Sequence, residues 1–132
     1  NRSMVRVSLV RMEPVAPVMV DSLQIQQVFI NLFRNSIEAM ESTADTRREI
    51  TVKVRPMDDQ VQVRIQDTGP GFSHDIQGDQ ILPFSSTKID GLGIGLSLSK
   101  SIIEKHGGRF WVDTQTTGAL VSFTLPAAAK PA

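Results

Sequence analysis

The chain has 132 residues, of which 40% are hydrophobic, and 14 Lys and Arg residues balance 14 Asp and Glu residues. This length allows one domain with a modest core, and the zero net charge provides no overall attraction to nucleic acid or to an anionic membrane. The absence of Cys excludes disulfides, thiolate catalysis and Cys-based zinc sites. No apolar run approaches the ~20 residues of a membrane span. We therefore expect residues 1–132 to form a single domain, and we expect this domain to belong to a longer protein.

The N-terminal half predicts strands around one long helix. The segments "RVSLVRM" and "APVMV" each indicate a short strand. Asp21 or Ser22 can cap a helix that extends to about Ala44. The segments "EITVKVRPM" and "QVQVRIQD" alternate apolar and polar residues, and the Asp58-Asp59 pair between them predicts a hairpin turn.

The C-terminal half predicts a loop, a second helix and another hairpin. A glycine-rich loop follows Asp67, with at most a short helix at residues 76–81. The second long helix covers about residues 95–106 and ends at Gly107. "RFWVDT" and "ALVSFTL" predict a closing hairpin around Gly118. The order β, α, ββ, loop, α, ββ predicts an α+β fold, a mixed and mostly antiparallel sheet with helices on one face.

The first helix carries a polar face that needs an explanation. At 100° per residue, Asn31, Asn35 and Glu38 lie within a narrow sector beside the apolar stripe. Asn favours helix caps, so two Asn residues in mid-helix oppose helix propensity. The face is either simply solvated or a set of oxygen ligands of the kind that Mg²⁺ prefers.

A second cluster, "DTGPGF", follows the clearest strand. Asp67 ends that strand, where a carboxylate can accept a hydrogen bond from an amino group. Gly69 and Gly71 leave room for a flat ring to approach the backbone. An ordinary turn with two glycines explains the same residues equally well when they are considered alone.

A third cluster combines "PFSSTK" with "IDGLGIGLS". Lys88 provides a point charge, Ser86 and Thr87 provide hydroxyls, and the glycines provide backbone N–H groups at a helix N-terminus, which together suit an anion. The pattern is neither the dinucleotide fingerprint nor the P-loop. One G-x-G-x-G alone would be weak evidence, whereas this succession of clusters is strong evidence.

The clusters resemble, in order and spacing, the catalytic and ATP-binding domain (HATPase_c) of sensor histidine kinases. "QQVFINLFRNSIEAM" is similar to the N box of that family, "DTGPGF" to its G1 box, "PFSSTK" to its F box and "GLGIGLSLSKSIIEKHGG" to its G2 box. The resemblance extends from about Arg6 to Leu125. It is greatest for the short-lid subgroup of nitrogen- and oxygen-sensing kinases, within the superfamily shared with gyrase, mismatch-repair and chaperone ATPases.

The resemblance implies the two-layer α/β sandwich known as the Bergerat ATP-binding fold, with ATP and Mg²⁺ as cofactors. It implies that Asn35 coordinates the metal and that Asp67 accepts from the adenine amino group. The catalytic residues implied are Glu38, Asn31 and Lys88. The cofactor-binding residues implied are Asn35, Asp67, Gly69, Gly71, Thr87, Lys88, Gly91, Gly93, Ile94, Gly95 and Leu96.

At one position this chain differs from the gyrase-like members of the superfamily that it resembles. Gyrase-like relatives place a Glu, the base for the attacking water, where this chain has Asn31. A carboxamide cannot act as a general base, so ATP hydrolysis is disfavoured while ATP binding is preserved. We expect the γ-phosphoryl group to go to a better nucleophile instead.

That nucleophile is expected on a separate domain. Neither His74 nor His106 lies in a predicted helical hairpin, so we expect the acceptor histidine on the dimerisation domain of the same protein, with a response regulator as an indirect partner. The domain alone is expected to be a monomer without affinity for nucleic acid. Two alternatives stay open at this point: a protein-serine kinase of the same fold, as in anti-sigma factors, and a nucleotide-sensing module that transfers nothing. Whether the full protein is anchored in a membrane also stays open.

Overall fold

The computed structural model describes residues 5–11, 14–41, 48–69, 92–115 and 118–128. Five strands and two helices occur in these ranges. They are β1 (Arg6–Arg11), α1 (Ser22–Glu41), β2 (Glu49–Met57), β3 (Gln60–Asp67), α2 (Leu92–Lys105), β4 (Phe110–Gln115) and β5 (Gly118–Pro126). Neither of these helices is long and apolar enough to cross a membrane.

The strands form one mixed sheet in the order β1-β2-β3-β5-β4. β1 pairs with β2 in parallel, and every other neighbouring pair is antiparallel. The β2–β3 hairpin turns at Asp58-Asp59, where Asp58 has a φ of 58°. A left-handed residue of this kind suits Asp better than most side chains, because its short polar side chain tolerates the conformation. Both predicted hairpins and the predicted mixed sheet are confirmed.

Both helices pack on one face of this sheet and against each other, as predicted. The T-shaped contact between Phe29 and Phe123, with ring centroids 5.7 Å apart, packs α1 against the interior strand β5. The hydrophobic core between the helices and the sheet consists of Val28, Leu32 and Met40 from α1, Leu96, Ile102 and Ile103 from α2, and Ile50, Val52, Val63, Ile65, Phe110, Val112, Val121, Phe123 and Leu125 from the sheet.

The start of α1 is capped as predicted, by Asp21. Its Oδ1 accepts hydrogen bonds from the backbone N–H groups of Leu23 (3.0 Å) and Gln24 (3.2 Å). His106 then joins this end of α1 to the end of α2. Its Nε2 accepts from the Asp21 N–H at 3.1 Å, and its Nδ1 lies 2.8 Å from the Ile102 carbonyl oxygen. Both ring nitrogens of His106 therefore have structural partners.

Two predicted elements differ in the structure. The segment "APVMV" is not a strand, because only Val18 forms a β-bridge there, with Ala127. α2 begins at Leu92, before the predicted start near Gly95. Gly costs only about 1 kcal/mol in a helix relative to Ala, so the packing of a buried residue such as Leu96 can extend the helix through its glycines. The predicted end of α1 near Ala44 and the short helix at residues 76–81 lie outside the described residues.

Ser99 on α2 gives a first stability prediction. Its side chain is 0% exposed, and its Oγ has no hydrogen-bond partner among the described residues. Ser99→Ala is expected to raise the free energy of unfolding in urea by about 1 kcal/mol, because it removes an unsatisfied buried hydroxyl. The matched control is Ser101→Ala on the exposed surface of the same helix, which should gain only about 0.5 kcal/mol from helix propensity. A loss of stability in Ser99→Ala would contradict the prediction.

Candidate functional site

The site begins at the end of β3, where Asp67 is only 4% exposed. Its Oδ1 accepts hydrogen bonds from the backbone N–H groups of Gly69 (2.9 Å) and Ala119 (3.2 Å). Both bonds use the same oxygen, so within the described residues the second carboxylate oxygen is left for a ligand. Two backbone donors also hold the carboxylate in one orientation, which is what selective recognition of an amino group requires.

Gly118, at the start of β5, makes the position of Asp67 possible. Its φ is +138°, and a Cβ built on it would lie 1.9 Å from the Asp67 carbonyl oxygen and 3.1 Å from Oδ1. No side chain fits between the two strands at this point. From the sequence, Gly118 is predicted only as a turn residue. Its close contact with Asp67, some fifty residues earlier in the chain, cannot be predicted from neighbouring residues.

The last turns of α1 lie directly against this strand end. A Cβ on Gly69 would lie 3.3 Å from Met40 Cγ and 3.5 Å from Ala39 Cβ. Thr68 connects the end of β3 to β2 and α1. Its hydroxyl accepts a hydrogen bond from the Glu49 N–H (3.1 Å) and donates one to Met40 Sδ (3.4 Å). Thr68 was not predicted as a site residue. Its position inside "DTGPGF" was the only available signal.

The two carboxamides predicted on α1 lie on the same helix face as Ala39. Asn35 precedes Ala39 by one turn and Asn31 precedes it by two, so they lie about 6 and 12 Å before Ala39 along the helix axis. The Nδ2 atoms of both are buried and have no hydrogen-bond partner among the described residues. Leaving such groups unpaired costs about 1–3 kcal/mol each, so the pair suits a ligand that supplies hydrogen-bond acceptors.

Glu38 belongs to the same polar stripe, three residues after Asn35, and its side chain is exposed. It is therefore accessible to another molecule that approaches the helix. Arg34 is also exposed. Within the described ranges no three His, Asp or Glu side chains are grouped to hold a metal. A Mg²⁺ ion here would depend on carboxamide oxygen, water and ligand phosphates, a donor set that Mg²⁺ commonly uses. Asn35 fits this set because it carries a carboxamide that no hydrogen bond through Nδ2 to another described residue holds in place.

The start of α2 contributes backbone donors. Its first turn contains Gly93, Ile94 and Gly95, and the first N–H groups of any helix lack intrahelical partners. Leu96 follows with a completely buried side chain that anchors this end of the helix in the core. α2 packs against α1, and its end lies beside the start of α1, so its first turn is directed towards the C-terminal half of α1. Gly71, Thr87, Lys88 and Gly91 lie outside the described residues.

Comparison with known families agrees with this geometry. Residues 20–129 match the family of histidine kinase-, DNA gyrase B- and HSP90-like ATPases. The match covers α1, Asp67 and α2 together, so it includes all three parts of the site. The chain therefore belongs to this family.

Two curated relatives give the narrower class. Sensor protein FixL of Bradyrhizobium diazoefficiens is 49% identical over 113 residues, which are 84% of this chain and 22% of the relative. The C4-dicarboxylate transport sensor protein DctS of Rhodobacter capsulatus is 36% identical over 110 residues, 83% of this chain and 17% of the relative. The chain thus spans about a fifth of the length of these curated relatives. Within the family it is a sensor histidine kinase catalytic domain.

Solved structures agree in fold. A nucleotide-free catalytic domain of the histidine kinase ThkA superposes with a TM-score of 0.78 at 28% identity, and the match covers 95% of this chain and 82% of that one. ThkA in complex with the response regulator protein TrrA gives a TM-score of 0.75 at 27% identity, covering 94% of this chain and 34% of that one. The predicted α+β class, with its mostly antiparallel sheet and helices on one face, is confirmed.

Proposed function

We propose that the domain binds Mg²⁺-ATP along α1 and donates the γ-phosphoryl group to a histidine on a separate dimerisation domain of the same protein. One observation carries the proposal: Asp67, with one oxygen held and one available, lies near the end of α1, and two carboxamides further back on that helix have buried Nδ2 atoms without a hydrogen-bond partner among the described residues. This order matches a ligand with an amino-bearing base at one end and oxyanions at the other.

In this arrangement Asp67 accepts from the adenine amino group, and Gly69 and Gly71 give the ring access to the backbone. The phosphates extend along α1 towards the first turn of α2, where N–H groups and the positive end of the helix dipole favour anions. The residues proposed to hold the phosphates are Thr87, Lys88, Gly91, Gly93, Ile94, Gly95 and Leu96.

Asn35 is proposed to hold Mg²⁺, which when bound would neutralise charge on the phosphates. The carboxamide of Asn31 has no basic atom, so it can orient a phosphate but cannot activate water. Glu38, exposed beside the two, is positioned to polarise an incoming nucleophile. We therefore expect positioning and charge neutralisation to carry the catalysis, with Lys88 contributing charge.

The acceptor is proposed to lie outside this chain. His106 cannot serve without losing its contact with Asp21, which joins α1 to the end of α2, and its contact with Ile102 within α2, and His74 lies outside the described residues. A response regulator is proposed as the next partner, supported by the ThkA–TrrA complex. The similarity to FixL and to NtrY-like kinases supports placement in the short-lid subgroup, and the use of ATP supports a cytoplasmic location.

The test is phosphoryl transfer from radiolabelled ATP to the acceptor domain of the full-length protein. We expect acid-labile phosphohistidine with the unsubstituted domain. Asn35→Ala is the matched control, and should reduce Mg²⁺-dependent ATP binding and transfer while leaving adenosine binding unchanged. Acid-stable phosphoserine would identify a serine kinase, and Mg²⁺-dependent ATP binding without any transfer would identify a nucleotide sensor. Either result would overturn the proposal.

A further inference from the structure

Gln27 contacts the predicted site from one turn earlier on α1. Its Nε2 donates a hydrogen bond of 2.9 Å to Oδ1 of Asn31. Gln27 itself is exposed, whereas Asn31 is only 9% exposed. The bond therefore links an accessible side chain to Asn31, and in this orientation the Nδ2 of Asn31 remains available.

The orientation of a carboxamide decides what it offers to a ligand. With Oδ1 occupied by Gln27, Asn31 offers its Nδ2, which is buried and has no partner among the described residues. A carboxamide nitrogen donates two hydrogen bonds, and a carboxamide oxygen only accepts. Phosphate oxygens accept hydrogen bonds, so they bind the nitrogen side of Asn31 and are repelled by the oxygen side.

We propose that Gln27 is a positioning residue that holds the Asn31 carboxamide with its nitrogen towards the phosphates of the nucleotide. The inference rests on the proposed nucleotide function and assigns Asn31 as a phosphate donor, distinct from Asn35 as the metal ligand. Gln27 touches neither nucleotide nor metal. It acts by removing the alternative orientation, in which Asn31 would present an acceptor to an anion.

The experiment compares Gln27→Met with Gln26→Met in the 132-residue chain. Met preserves side-chain length but cannot donate a hydrogen bond. Gln26 is exposed on the same helix, and it lies five residues before Asn31, about 140° around the helix axis. Calorimetry measures affinity for ATP with Mg²⁺ and for adenosine, and NMR follows the side-chain NH₂ signals of Asn31 without nucleotide.

Gln27→Met is expected to weaken ATP binding about tenfold, the effect of one hydrogen bond, without changing adenosine affinity. It should also shift the NH₂ signals of Asn31, and Gln26→Met should do neither. Equal losses for ATP and adenosine, or unchanged Asn31 signals, would overturn the positioning role. Failure of the unsubstituted domain to bind ATP would instead overturn the proposed function.

Discussion

Asp67→Asn is expected to weaken adenosine binding by about 10- to 100-fold, the usual effect of losing a hydrogen bond to a charged group. The reason lies in the backbone around the carboxylate. The N–H groups of Gly69 and Ala119 both point at Oδ1, so an Asn side chain must keep its oxygen there. Its NH₂ group then replaces the free carboxylate oxygen and meets the amino group of adenine, donor against donor.

The same geometry predicts a change in base preference. Inosine carries a carbonyl oxygen in place of the adenine amino group, and this oxygen can accept from the new NH₂ group. The ratio of adenosine to inosine affinity, measured by calorimetry without phosphates or metal, should therefore fall in Asp67→Asn. Asn35→Ala is the control that should leave this ratio unchanged. An unaltered ratio in Asp67→Asn would exclude Asp67 from base recognition.

Local patterns in the sequence were sufficient to predict most of the fold. The alternation of apolar and polar residues predicted both hairpins, and Asp21 predicted the start of α1. These features could be predicted because each depends on residues that are close together in the chain. In β5, the alternation of apolar and polar residues does not predict which side chains are buried. Leu120, Ser122 and Thr124 are buried although they face away from the helices. β5 is a central strand, and Ser122 pairs with Arg64 on one side and Trp111 on the other, so larger neighbours cover it.

The sequence predicted individual residues of the site, but it did not predict the contacts that bring these residues together. Motif resemblance gave Asp67, Asn31 and Asn35, and composition explained why amides and glycines suit a nucleotide. The contacts that hold these residues depend on the register of β3 against β5 and on where α1 ends. Gly118 and Thr68 therefore remained ordinary turn and loop residues until the strands were paired.

Gly118→Ala is expected to lower the free energy of unfolding by about 2–6 kcal/mol. Backbone strain and a steric clash both contribute to this loss of stability. A φ of +138° is strained by about 1–3 kcal/mol for any residue with a Cβ. A methyl group 1.9 Å from the Asp67 carbonyl oxygen must also displace backbone, and overpacking of this kind costs about 1–3 kcal/mol. Urea denaturation monitored by Trp111 fluorescence measures the loss.

Gly107→Ala provides the matched control, because Gly107 also has a positive φ, of +86°, but a Cβ there would meet only Pro126 Cγ, at 3.3 Å. It should cost about 1–2 kcal/mol from conformation alone and leave adenosine binding intact. In Gly118→Ala the folded fraction should also lose adenosine affinity, because the methyl group displaces the strand end that carries Asp67. Equal destabilisation of the two variants, with adenosine affinity preserved in both, would show that Gly118 serves only the turn and that Asp67 does not need the close approach of β5.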